Sequence, residues 1–255
     1  MQLSIHQLSV GYEKHTIINN FSLDFPHNKI TALIGPNGCG KSTLLKSIAR
    51  LLPLQQGKIC LDNQNIRDIK PKLFARYFAL LPQQHIVPEG ICVKELVAYG
   101  RSPYVNLWGK LSRVDREKID EVMEITQTTH LQQKLVSDLS GGQRQRAFLA
   151  MALAQDTPFL LLDEPTTYLD LNHQTELMAM MKALQAQGKT IITVLHDLNQ
   201  ASRYCDHLVV IKQGKLMAQG RPDEVMSQEL LYQVFSLKGE IHQDPISHTP
   251  MFVAY

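Results

Sequence analysis

A chain of 255 residues with 44% hydrophobic and 20% charged side chains can bury a full core and is too apolar to be disordered. Its formal charge of +2 comes from scattered lysines and arginines, which excludes a surface built to coat nucleic acid. Cys39, Cys60, Cys92 and Cys205 have neither zinc-ligand nor disulfide-scaffold spacing, as in a reducing cytosol, and no stretch has the roughly 18 apolar residues that cross a bilayer.

The opening Met1-Gln2-Leu3-Ser4 is not the basic start of a signal peptide, so work at a membrane would depend on a partner. Leu3, Ile5, Leu8 and Val10, then Phe21, Leu23 and Phe25, roughly alternate with polar residues and predict strands of a half-exposed antiparallel sheet. Tyr12 between them either stacks on a purine or packs a strand-end turn. The apolar run Ile30-Thr31-Ala32-Leu33-Ile34 leads into Gly35-Pro36-Asn37-Gly38-Cys39-Gly40-Lys41-Ser42-Thr43, and Leu44-Leu45-Lys46-Ser47-Ile48 resumes at helical spacing. Strand, glycine-rich turn and helix form the context of a phosphate-binding loop, because glycines let backbone amides converge on a triphosphate and the helix start adds positive potential. Lys41 is expected to reach the β and γ phosphates and the Ser42 hydroxyl to ligate Mg²⁺. Cys39, among these amides, sits where a thiolate is favoured.

Gly57 to Asn63 predicts a strand entering a turn, and Phe78-Ala79-Leu80-Leu81 a buried strand ending at Pro82. Gln83 then either meets a metal-bound water or faces solvent. From about Val93 to Ala154 the periodicity is helical, as in a lobe inserted between core strands, and Pro88, Pro103, Gly90, Gly100 and Gly109 break the segment leading into it. One helix covers Val114 to Ile125, with Asp115, Arg116, Glu117 and Lys118 on its solvated side. The lobe closes on Leu139-Ser140-Gly141-Gly142-Gln143, where Ser140 is an N-cap and the paired glycines leave amides that could hold a second anion. Arg144 and Arg146 read as a solvated helix face.

Phe159-Leu160-Leu161-Leu162-Asp163-Glu164 has the form of a buried parallel strand ending in two carboxylates, at the end of the sheet where ligands collect. Asp163 is placed to hold Mg²⁺ or its water shell, and Glu164 to polarise an attacking water. A second such strand, Thr190 to Leu195, delivers His196, which is either a packed side chain or a partner for the γ phosphate. Beyond it lie a helix near Leu198 to Tyr204, strands at Leu208 to Ile211 and Leu216 to Ala218, and short helices opened by Pro222. The last twenty or so residues show no chemistry.

Taken together, the phosphate loop, Gln83, Leu139 to Gln143, Leu162-Asp163-Glu164, Leu169-Asp170 and His196 resemble the ATP-binding cassette of ABC transporters. The resemblance implies an α/β P-loop NTPase fold: a mixed, largely parallel RecA-like core sheet, an N-terminal antiparallel β subdomain and an inserted α-helical subdomain. The division it suggests is a single domain over 1–255, with 1–86 and 156–255 as the catalytic core and about 87–155 as the helical lobe. It implies ATP and Mg²⁺ as ligands and a head-to-tail pair of cassettes, with Ser140 and Gly142 of one copy on the γ phosphate of the other. It also assigns Tyr12 to adenine stacking, Gln83 to sensing metal and water, and Asp170 to communication across the pair.

Glu95 to Tyr104, Thr166-Thr167-Tyr168-Leu169-Asp170 and Leu195 to Asp206 are similar to the ATPases of bacterial importers for ferric siderophores, haem and vitamin B12. Those of ferric citrate importers are resembled over nearly the whole chain. This similarity implies a peripheral subunit on the cytoplasmic face of the inner membrane. Its partners would be a second copy of itself, two permease subunits and, indirectly, a periplasmic binding protein, with no nucleic acid. The segment after Gln83 to about Tyr104 would be exposed and receive a permease helix. A soluble cassette ATPase of DNA repair or translation is the rival reading, but those usually carry two cassettes or a long coiled coil, and this chain has neither.

Overall fold

Alternation of apolar and polar side chains builds the first sheet. In the computed structural model, which describes residues 1–13, 15–87, 89–105, 110–167 and 169–255, β1 (Leu3–Tyr12) and β2 (His15–Phe25) run antiparallel with Leu3 opposite Phe25 and Ile5 opposite Leu23, all four buried. The next strand, β3 (Ile30–Ile34), is buried at every residue, as a strand covered on both faces must be. After α1 (Lys41–Ile48) come β4 (Leu54–Leu61), which pairs with the other edge of β1, and the short β5 (Gln64–Asn65), completing a sheet of order β2-β1-β4-β5.

The middle of the chain holds α2 (Pro71–Phe74), β6 (Phe78–Leu81), α3 (Val93–Tyr99), α4 (Arg113–Ile125), α5 (Gly141–Ala154) and β7 (Phe159–Asp163). Strands β6 and β7 pair in parallel, and Phe74, Phe78 and Phe159 stack in series at 4.9 Å between successive ring centroids. Each such contact adds about 0.5–1.5 kcal/mol to the area it buries. Both α3 and α4 pack on α5, and Val93, Leu96, Val97, Ile119, Val122 and Met123 are buried. A glycine is required where α3 ends, because a Cβ on Gly100 would lie 2.1 Å from the carbonyl oxygen of Met151.

Two expectations for this region are corrected. Asp115 is not on the solvated side of α4: it is buried, bonds the Ser112 amide and hydroxyl in a capping box, and pairs with Arg101. Nor is the segment exposed as far as Tyr104. Gly100, Arg101 and Pro103 are buried, leaving Ile86 (93% accessible) and Tyr99 (55%) as its large exposed apolar side chains. Pro88, Gly109 and Tyr168 lie outside the described residues.

The chain continues through α6 (Leu171–Ala186), β8 (Thr190–Val194), α7 (Leu198–Tyr204), β9 (His207–Lys212), β10 (Lys215–Gly220), α8 (Pro222–Val225), α9 (Gln228–Phe235), β11 (Gly239–Gln243) and β12 (Pro250–Ala254). Strand β3 lies between β8 and β9, parallel to both, and β10 folds back antiparallel on β9. The C-terminal stretch, whose sequence shows no chemistry, is an antiparallel hairpin of β11 and β12 fastened to α7. Ser202 Oγ donates to the Pro250 carbonyl at 2.6 Å, Asn199 exchanges two hydrogen bonds with the Phe252 backbone, and Arg203 forms an ion pair with Asp244. Met1–Ile69 with Met181–Tyr255 form one compact unit and Lys70–Met180 another. Among the described residues no helix is long and apolar enough to cross a membrane.

Candidate functional site: a phosphate loop and a carboxylate turn

In the first unit, the chain leaves β3 at Gly35 and re-enters regular structure at Lys41. Gly38 and Gly40 have φ of +76° and +109°, the left-handed region open to glycine at little cost. A Cβ on Gly35 would stand 2.1 Å from the Ile211 carbonyl oxygen, and one on Gly40 would stand 2.5 Å from Ile18 Cδ1, so packing as well as φ demands glycine. Lys41 is buried, and its Nζ donates to the carbonyls of Gly35 (2.7 Å) and Pro36 (3.1 Å), which curls the loop over the helix start. Pro36, Asn37 and Gly38 form the outer part of this curl, while Thr43 is turned into the core and Ser42 is half-buried. Unlike α4, α5, α7 and α9, helix α1 has no side chain capping its N-terminus, where the helix dipole favours negative charge. These are the attributes of an anion cradle. Tyr12 ends β1 with 45% of its surface accessible, and His196, just beyond β8, is also exposed.

Cys39 departs from expectation. It is buried with Sγ 4.0 Å from Lys41 Nζ, and burial pushes its thiol up more than the ammonium and nearby amides pull it down. Its contribution to the loop is main-chain geometry, and its thiolate is disfavoured.

The second unit carries the carboxylates. Asp163 is the last residue of β7 and only 1% accessible, whereas Glu164 turns out of the strand at φ +53°. A non-glycine residue in that region costs of order 1–3 kcal/mol and persists where its surroundings impose it. Here Gln83 Nε2 donates to Glu164 Oε2 at 2.7 Å, Thr167 Oγ1 reaches the same oxygen at 3.4 Å, and the Thr167 amide bonds the Glu164 carbonyl. Gln83, exposed just beyond β6, is thus brought onto the carboxylate.

Ser140 to Gln143 form a capping box at the start of α5: Ser140 Oγ accepts from the Gln143 amide, and Gln143 Oε1 accepts from the Ser140 amide. Nothing lies within 4 Å of a Cβ built on Gly141, and one on Gly142 would make only an ordinary 3.5 Å contact with Leu169. The fold itself therefore does not require these two glycines. Arg144 and Arg146 are not a solvated face; both are half-buried, and Arg144 folds back to donate to the carbonyls of Ser137 and Leu139. Asp170 accepts from the backbone and ring of His173, and these bonds, the backbone one foremost, hold its carboxyl below the usual range.

The ABC transporter family matches residues 18–167, which include the phosphate loop, the capping-box turn and the two carboxylates. The chain belongs to the ABC transporter family. The ferric enterobactin transport ATP-binding protein FepC of Escherichia coli is 45% identical, with 97% of this chain and 92% of that protein covered. The achromobactin transport ATP-binding protein CbrD of Dickeya dadantii is 46% identical over 99% and 94%, and the iron(3+)-hydroxamate import ATP-binding protein FhuC of Bacillus subtilis 43% identical over 99% and 94%. Among solved structures, an ATP-binding subunit of an ABC transporter superposes with a TM-score of 0.79 at 26% identity, covering 94% and 95% of the two chains. The ABC cassette MJ0796, dimeric and bound to ADP and Pi, does so with a TM-score of 0.76 at 26% identity over 86% and 98%. This chain is accordingly an ABC ATPase that binds and hydrolyses ATP, and its fold is the P-loop cassette.

Sequence reading did not single out His85, Gln145 or Thr167, all of which bind residues of the carboxylate turn or one another. The available signal was spacing: Gln145 and Phe148 lie three apart on α5, and His85 two residues after Gln83.

Proposed function

We propose that this chain is the ATPase subunit of an importer for a ferric siderophore-type chelate, ferric citrate being the first to test, bound peripherally at the cytoplasmic face of a bacterial inner membrane. The observation that carries this reading is its similarity, over nearly its full length, to ATP-binding proteins of enterobactin, achromobactin and hydroxamate transport.

In this reading Tyr12 stacks on adenine, the amides of residues 35–43 hold the phosphates and Lys41 neutralises the β and γ groups. Glu164 orients and deprotonates the attacking water, with Gln83 holding that carboxylate and His196 bonding the γ phosphate. The Ser42 hydroxyl and the Asp163 carboxylate, hard oxygen donors of the kind Mg²⁺ takes, would hold the ion with Gln83 beside them, and it would supply positive charge against the phosphates. The uncrowded glycines of the Ser140 turn favour an outside ligand, the γ phosphate held by a second copy in a head-to-tail pair, with Asp170 facing across that pair. Two permease chains dock near Ile86 and Tyr99, and a periplasmic binding protein delivers the chelate.

Affinity capture of the tagged chain from detergent-solubilised membranes, with identification of the polytopic subunits retained, tests the assignment. Permease chains whose presence raises ATP turnover in response to ferric citrate or another ferric chelate are expected. Capture of ribosomes or nucleic acid instead would overturn it.

A further inference from the structure

The loop after β6 is fastened twice to the turn that carries Glu164. The direct bond is Gln83 to Glu164 at 2.7 Å. The second passes through α5: the His85 ring lies flat on Phe148, with centroids 4.1 Å apart and planes 10° apart, and its Nε2 is 3.0 Å from Gln145 Oε1. Gln145 Nε2 in turn donates at 3.2 Å to the carbonyl of Pro165, the residue after Glu164.

The polarity of this chain of bonds is fixed from its far end. A proline carbonyl can only accept, so the Gln145 amide must present its nitrogen to Pro165 and its oxygen to His85; the imidazole then carries its proton on Nε2. That leaves His85 Nδ1 as a buried lone pair with no hydrogen-bond partner among the described residues. Such a nitrogen costs free energy, while the Phe148 stack and the Gln145 bond hold the ring in place. Burial lowers the His85 pKa; the Gln145 hydrogen bond opposes this and Arg144 adds to it.

We infer that His85 is a positioning residue: through Gln145 it locks the Ser140 end of α5 to the backbone beside Glu164, so that the loop cannot shift without moving the capping-box turn and the carboxylate together. The adjacent Ile86 is 93% accessible, so a push on the loop from outside acts on the residue next to this lock. Phe148 and Gln145, one turn apart on α5, make the lock specific to one ring orientation. The inference rests on Glu164 being the hydrolytic carboxylate.

The test uses the full-length chain and steady-state ATP hydrolysis, with kcat and KM determined separately, beside ATP titration and thermal melting. His85→Phe keeps the stack and removes the donor; Gln145→Leu removes the relay. Each is expected to lower kcat about tenfold with KM within about twofold, the signature of an interaction felt in the transition state. The double variant should be no worse than either single one, since residues in one network do not act additively. His85→Gln, which restores a donor at similar reach, should recover most of the loss. Unchanged kcat in the single variants, multiplicative losses in the double one, or a fall in melting temperature with no change in kcat would each overturn the inference. Glu164→Gln is the control: if it hydrolyses ATP normally, the reading of Glu164 has failed; if it alone is inactive, only the His85 relay has.

Discussion

Arg101 Nε lies 2.9 Å from Asp115 Oδ1, and each side chain is only 6% accessible. Arg101 also donates to the Ala154 carbonyl at 2.7 Å and lies 3.9 Å from the centroid of the Tyr104 ring, so a single guanidinium joins the ends of α3 and α5 to the start of α4. Burial alone would raise the Asp115 carboxyl; the Ser112 and Arg101 hydrogen bonds outweigh it and hold the pKa below its ordinary value. Arg101→Ala leaves that carboxylate buried without its cation and should cost about 3–5 kcal/mol, the usual penalty for removing one partner of a buried pair. Urea unfolding followed by circular dichroism checks this; a loss under about 1 kcal/mol, as for an exposed pair, would contradict it.

Glu164→Gln retains the size of the side chain and removes its capacity as a base. ATP binding should persist while turnover drops about 10²- to 10⁴-fold, the span of a general acid–base group. Single-turnover hydrolysis within threefold of the parent would take Glu164 out of that role.

The buried, upward-shifted thiol of Cys39 is a poor nucleophile near neutrality. Native-state alkylation read by peptide mass spectrometry should modify the half-buried Cys92 before Cys39. The reverse order would mean that the loop opens faster than its packing implies.

Asp244 accepts hydrogen bonds from the Ile246 and Ser247 amides and from Arg203, with the Ile246 amide the largest influence, and its pKa is held down to about 2. A carboxyl depressed on folding contributes stability above its unfolded pKa and loses it as pH falls through the folded value. The hairpin's attachment to α7 should therefore be intact at pH 5 and weaken between about pH 4 and 2. Hydrogen exchange of the β11 and β12 amides across that range measures it, and Asp244→Asn should flatten the dependence.

The core strands and the helical lobe were legible because their signals are local: apolar runs in β3, β7 and β8, and the capping serine before α5; α6 and the β11–β12 hairpin were not read. The phosphate loop was legible for the same reason, as the residues that shape it are contiguous. Asp115 and Cys39 were misjudged because burial is set by what packs on an element, and neither the Arg101 side chain nor the core behind the loop is visible in a one-dimensional pattern. The His85 relay was hidden for a related reason. It joins three segments separated by 60 and 20 residues, and no propensity or period encodes such a meeting.

Because the terminal hairpin is bolted to Asn199, Ser202 and Arg203, the tail and the short helix just beyond His196 travel as one piece. Tyr255, the final residue, is 86% accessible. A fluorophore placed there is accordingly a remote dial for the His196 strand end, reporting its excursions without a substitution near the nucleotide, whereas trimming the tail loosens a helix on which that dial depends.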